Sequence, residues 1–171
     1  DDCSSRGLGD VYKRQPALDA ALREQTDRIA HSTLLGLASV PSVVLAKRLI
    51  DIVPSGLTRV FYSDAGATAV EIALKIAAQY HQLRGATART AFASLAESYH
   101  GDTIGAMSVG YSEGLHRHFK PLVFPCHKLN PPHVYRWQQG LDAAEALQRS
   151  IADAEALFAR EGQHLLSLIH I

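Results

Sequence analysis

Residues 57–83 hold the arrangement that most limits how this chain can fold. Leu57-Thr-Arg-Val-Phe-Tyr62 is rich in β-branched and aromatic residues and reads as a short buried strand. A turn of small residues follows, Ser63-Asp-Ala-Gly-Ala67, and then Val70, Ala73, Leu74, Ala77 and Ala78 recur at helical spacing. Thr68 and Glu71 fit a Thr-x-x-Glu capping box, which places the first helical turn at those residues, and Gly85 stops the helix. Strand, glycine turn and helix start together present free backbone N–H groups to an anion, so the turn reads as a phosphate cup. The same residues also suit an ordinary capped strand-to-helix turn, because short glycine motifs recur by chance.

A second apolar run over residues 89–95 reads as another buried strand. Two buried strands joined by a helix form a βαβ unit, so the expected class is α/β with a mostly parallel sheet. Residues 97–102 then lie at the carboxyl end of one strand and the cup at the carboxyl end of its predecessor. Open parallel sheets bind ligands at that rim, and both candidate sites fall on it. Tyr99 can lay its ring on a flat heteroaromatic ligand and keep its hydroxyl for a substrate, or it can be a core tyrosine bonded to a backbone carbonyl. Gly101 permits close backbone approach. His100 and Asp102 can be read as an acid–base pair or as separate structural groups, and either Asp102 or Thr103 can cap a short helix over 103–109 that Gly110 closes.

The rest of the chain supplies flanking elements. Pro16 suits the first turn of a helix over 16–30, Pro41 opens a second over 42–52, and Pro54-Ser-Gly56 ends it. Residues 121–125 read as a possible strand and 141–160 as a helix. With 171 residues, 47% of them hydrophobic, the chain can bury one core. Its 17 basic and 17 acidic residues balance, which argues against a nucleic-acid footprint or an anionic membrane surface, and no apolar run is long enough to span a bilayer. Cys3 and Cys126 make no disulfide framework, consistent with a reducing, cytoplasmic setting. His116, His118, His127 and His133 fit no common zinc spacing and read as surface or loop residues.

The two ends look foreign. Asp10-Val-Tyr-Lys-Arg-Gln15 can be encoded by GAT GTG TAT AAG AGA CAG, whose reverse complement translates as Leu-Ser-Leu-Ile-His-Ile, the sequence of Leu166 to Ile171. Opposite strands of one short DNA element can therefore write both tails, as a sequencing adapter read through at each end would. Residues 1–15 and 166–171 are accordingly expected to be non-native, leaving 16–165 as one domain.

Gly56-Leu-Thr-Arg-Val-Phe-Tyr-Ser-Asp-Ala-Gly-Ala-Thr-Ala-Val-Glu-Ile-Ala-Leu-Lys75 and Tyr99-His-Gly-Asp-Thr-Ile-Gly-Ala-Met-Ser-Val109 resemble class III aminotransferases, which use pyridoxal 5′-phosphate. The likeness runs from about Pro16 to Leu165. Within the class it is strongest to the biotin-synthesis branch, which implies S-adenosylmethionine as amino donor, 8-amino-7-oxononanoate as acceptor and a homodimer. Related members that act on ω-amino acids or diamines share the cup, as would a non-catalytic module for a phosphorylated ligand. The implied fold is part of the large domain of the fold-type I, aspartate aminotransferase-like transferases. The implied roles are backbone N–H groups of Gly66 and Ala67 on the cofactor phosphate, and the ring of Tyr99 on the pyridine with its hydroxyl toward the substrate. Ala67 departs from the pattern, since serine or threonine is common there. The family's reaction also needs a cofactor-binding lysine and a carboxylate against the pyridine nitrogen. None of Lys13, Lys47, Lys75, Lys120 and Lys128 stands in that lysine's pattern, so no catalytic residue is assigned and the chain is expected to be an inactive fragment.

Overall fold

The computed structural model describes residues 15–169. The chain divides into two compact units between Phe61 and Tyr62.

In the first unit, α1 spans Pro16–Arg28 and α2 spans Val40–Ile52. Pro16 occupies the first turn of α1, where its missing N–H costs nothing. Ser39 caps α2, its hydroxyl accepting the Ser42 N–H. Neither helix contains a buried residue. Residues 57–61 contain no strand, against the sequence reading, and Leu57 and Phe61 are exposed. A strand exists only through a ladder with a neighbour, and among the described residues no strand pairs with this run.

The second unit carries the sheet. Its elements are α3 (Gly66–Leu83), β1 (Ala91–Leu95), α4 (Ile104–Val109), α5 (Glu113–His116), a 3₁₀ segment (Arg117–Leu122), β2 (Cys126–Leu129), α6 (Ala143–Glu161) and β3 (Leu165–Ile169). The strand order is β2-β1-β3. Both pairings are parallel, with Phe92 opposite Cys126 and Ala91 opposite Leu165. The expected parallel sheet is therefore present, but β2 and β3 build it with β1, not residues 57–62. The expected strand over 121–125 is also displaced. Pro121 lies inside the 3₁₀ segment and Pro125 offers no N–H to a ladder, so pairing starts at Cys126. Leu166 to Ile169, set aside above as part of a foreign tail, lie within β3; their alternation of leucine, serine and isoleucine suits a strand. Residues 1–14, 170 and 171 of the two tails lie outside the described residues.

Successive residues of β1 face opposite sides of the sheet, and both sides are covered, as a parallel sheet requires. On one side Ala93 packs with Leu129, Leu157 and Leu165 beneath α6. On the other, Phe92 packs with Leu74 of α3 and Val109 of α4. Arg89 joins the starts of β1 and β3 by donating to the carbonyls of Gly162 and Leu165. α6 is capped independently, with Asp142 Oδ1 accepting from Ala144 and Glu145 and Glu145 Oε2 accepting from the Asp142 N–H.

Among the described residues, β2 and β3 each have one edge without a strand neighbour. Open edges template intermolecular pairing. The 171-residue chain expressed alone should therefore melt broadly and scatter light increasingly with concentration. A sharp melt of a soluble monomer would contradict this.

Candidate cofactor site

The turn before α3 and the loop after β1 meet in one cavity. α3 begins at Gly66, two residues before the Thr68 start that the capping pattern gives, and Ala65 is the N-cap residue. Thr68 Oγ1 accepts the Ala65 N–H at 3.1 Å, and its own proton is shared between Asp64 Oδ1 and the Ala65 carbonyl, both at 2.8 Å. That hydroxyl is thus committed to the cap. Gly66 and Ala67 hold the first helical positions, whose N–H groups have no intrahelical acceptor. A Cβ built on Gly66 would meet nothing within 4 Å, so the space over the turn is open.

The other wall starts where β1 ends. Glu97 sits at φ 57°, a left-handed conformation that costs a side-chain-bearing residue about 1 kcal/mol, and turns the chain toward Tyr99. The Tyr99 ring is exposed, and its hydroxyl donates to Asp102 Oδ2 at 2.7 Å. It is not a core tyrosine bonded to a carbonyl. That contact pushes the phenol above its ordinary value. Gly101 adopts φ +114° and is buried; a Cβ there would lie 2.5 Å from Ala67 Cβ and 2.9 Å from Ala67 Cα. Only glycine lets this loop rest on the first turn of α3. The resulting cavity, about 670 Å³, is lined by Gly66, Ala67, Val70, Tyr99, Gly101 and Thr103, among others.

Glu71 connects the two walls. The capping pattern assigns it to its own helix, but its Oε1 accepts from Thr103 Oγ1 and the Gly105 N–H at 2.6 Å and from the Ala106 N–H at 3.2 Å. It therefore caps α4 from another element, and neither Asp102 nor Thr103 does so. Partial burial pushes the Glu71 carboxyl up, but the hydrogen bonds from Thr103, Ala106 and Gly105 and the charge of Lys75 outweigh it and hold the group below its ordinary value.

His100 and Asp102 do not pair. His100 is buried and neither ring nitrogen has a hydrogen-bond partner. Burial, helped by the charge of Lys128, pushes its imidazole below the ordinary value and keeps it neutral. Asp102 is exposed, and its second oxygen lies 3.5 Å from His116 Nε2. His116 is buried, which corrects the surface or loop role its sequence context suggests. Burial pushes the Cys126 thiol above its ordinary value, which does not suit a nucleophile. Among the described residues, no three His, Cys, Asp or Glu side chains converge as metal ligands would.

The family sequence model described as "Aminotransferase class-III" matches residues 8–169. The chain belongs to the class III aminotransferases. The adenosylmethionine-8-amino-7-oxononanoate aminotransferase of Methanocaldococcus jannaschii is 60% identical over 116 residues, covering 68% of this chain and 25% of that protein. The protein of the same name from Anoxybacillus flavithermus is 46% identical over 169 residues, covering 99% of this chain and 37% of that one. An amine transaminase from an uncultivated Pseudomonas species, solved with pyridoxal phosphate bound, superposes with a TM-score of 0.80 at 32% identity over 92% of this chain and 36% of its own. The second unit is thus a partial fold-type I domain, and the chain spans 25% to 37% of the length of these class III relatives.

Class III enzymes depend on pyridoxal 5′-phosphate, and the cavity suits that group. Unpaired N–H groups at an open helix start match a phosphate, and an exposed aromatic face bounds the same space. Lys47, Lys75, Lys120 and Lys128 do not line it. Two contacts here escape the sequence reading. The Tyr99–Asp102 bond had a signal in its three-residue spacing, whereas the Glu71 cap joins residues 34 apart and had none.

Glu71→Ala should cost about 1–2 kcal/mol in urea unfolding, since three bonds to a carboxylate still reached by solvent are lost. The pH dependence follows from two lowered values. His100 binds its proton less readily folded than unfolded, so stability is full above its ordinary 6.5 and falls as pH drops through that value. The Glu71 contribution is present above its ordinary 4.5 and is lost as pH falls through its lower folded value. Urea midpoints from pH 8 to 3 should show both limbs, with His100→Phe flattening the upper and Glu71→Gln the lower.

Proposed function

We propose that this chain is part of the large domain of an aminotransferase that moves an amino group from S-adenosylmethionine to 8-amino-7-oxononanoate, giving 7,8-diaminononanoate in biotin synthesis. The relatives named for that activity support the substrates. The cofactor site rests on one observation, the shared cavity of the Gly66–Ala67 helix start and the Tyr99 ring. In this reading the N–H groups of Gly66 and Ala67 hold the phosphate, with the positive end of the α3 dipole behind them. The Tyr99 ring covers one face of the pyridine and orients its hydroxyl toward the substrate, while Gly101 keeps the loop against α3 and helps exclude water. When bound, pyridoxal 5′-phosphate takes the amino group from the donor and delivers it to the acceptor ketone.

Proton transfer in this reading belongs to a lysine beyond the present chain, and so does the carboxylate against the pyridine nitrogen. The same proposal extends to a cytoplasmic homodimer, and to translated adapter at residues 1–15 and 166–171. The family match does overlap both of those segments. Sequencing the locus on both sides of the coding region tests the downstream residues and the two tails together, and sedimentation of the full-length protein tests the dimer. An in-frame continuation with a strand ending in lysine is expected, and a gene that ends at Ile171 would sink the proposal in favour of a phosphate-binding module. Purified chain should show no transamination.

The cup itself is tested by titrating pyridoxamine 5′-phosphate. Ala67 supplies no hydroxyl and that of Thr68 is committed to the cap, so Ala67→Ser should tighten binding by about tenfold. Tyr99→Ala should weaken it, and no change in either variant would discard the cup.

A further inference from the structure

We propose that His116 is a positioning residue that aims the Tyr99 hydroxyl by holding the Asp102 carboxylate between them. The proposal rests on the reading of Tyr99 as the wall of the cofactor cup.

Asp102 bridges two partners with its two oxygens. Oδ2 accepts the Tyr99 hydroxyl at 2.7 Å and Oδ1 lies 3.5 Å from His116 Nε2. The imidazole cannot choose freely which nitrogen carries its proton. His116 Nδ1 accepts the Ser112 N–H at 3.1 Å, so in the neutral ring the proton sits on Nε2, the atom that faces the carboxylate. Backbone geometry at Ser112 thereby sets a donor toward Asp102. The two ends of this chain of contacts differ in freedom. The His116 side chain is 5% exposed and that of Asp102 is 73% exposed. An exposed aspartate has several rotamers open to water, whereas a buried ring pinned at one nitrogen has one. The ordered partner therefore selects the rotamer of the mobile one, and that rotamer also receives Tyr99. The contact borders a second cavity of about 560 Å³, walled on the same side by Ile104, Met107 and Leu115. Tyr99 and Asp102 line both cavities, so the carboxylate stands between the two spaces. Tyr111 also lies near His116, its ring 5.9 Å away and its hydroxyl donating to Glu113.

The test uses the longest soluble form of the protein that contains residues 15–169, with tyrosine labelled at Cζ so that Tyr99 titration is read by NMR. His116→Phe keeps ring volume and removes the donor, His116→Gln returns an N–H near the Nε2 position, and Asp102→Asn removes the charge. In His116→Phe and Asp102→Asn the Tyr99 midpoint should fall by about 0.5 pH or more, and His116→Gln should restore most of it. Affinity for pyridoxamine 5′-phosphate should drop about threefold in His116→Phe and recover in His116→Gln. A Tyr99 midpoint that moves in Asp102→Asn and stays put in His116→Phe overturns the proposal, as does a glutamine variant no better than phenylalanine. In the unaltered protein, nitrogen NMR of His116 should find Nε2 protonated and Nδ1 bare; the opposite tautomer overturns the proposal without any variant having to fold. If the Tyr99 midpoint follows His116 as described but no variant changes cofactor affinity, the positioning stands and the cup reading fails.

Discussion

One carboxylate oxygen holds the candidate site together. Glu71 Oε1 collects a hydroxyl and two backbone N–H groups from the first turn of α4. A helix of six residues is too short to persist alone, and a buried one also needs acceptors for its leading N–H groups. Glu71 supplies one from α3, and in doing so it ties the loop that carries Tyr99 to the helix that carries Gly66 and Ala67. Gly105 makes this possible, because a Cβ there would fall 2.3 Å from the other Glu71 oxygen. The far end of α4 is fixed from the sheet, where the buried Ser94 hydroxyl and the Lys128 ammonium both donate to the Val109 carbonyl. With both ends held and Gly101 resting on Ala67, the loop that carries Tyr99 is packed directly against the start of α3.

The sheet contributes closeness. Ala93, Ala106 and Ala146 have no exposed surface, and each brings an element nearer to its neighbour than a larger side chain would. On the α3 side Leu74 and Phe92 fill the space that remains, together with Val109 of α4.

Much of this arrangement was legible in the chain itself. Pro16 marks the start of α1, prolines and glycines mark both ends of α2 and α3 within about two residues, and the apolar run in 89–95 marks β1. The Gly66 and Tyr99 stretches do line one cavity, although the strand at 57–62 through which the sequence places them on one rim does not form. What escaped depends on partners far along the chain. Residues 57–62 have strand composition, but pairing decides whether composition becomes a ladder, and no paired neighbour lies among the described residues. The Thr-x-x-Glu spacing at Thr68 and Glu71 is real as a pattern, yet Thr68 caps Ala65 and Glu71 serves α4, because tertiary donors outcompeted the local one. His116 looked like one histidine in a polar run; only the fold buries it and brings Asp102 alongside.

The spacing of contacts along the chain orders events on the ribosome. Glu71 meets α4 across 34 residues, whereas Arg89 must wait for a carbonyl 76 residues later. Short loops close sooner and at lower entropic cost. During vectorial synthesis the walls of the cavity can therefore associate before β2 and β3 emerge, and β1 spends that interval with both edges bare. A nascent chain in this state offers chaperones an assembled rim above an unfinished sheet.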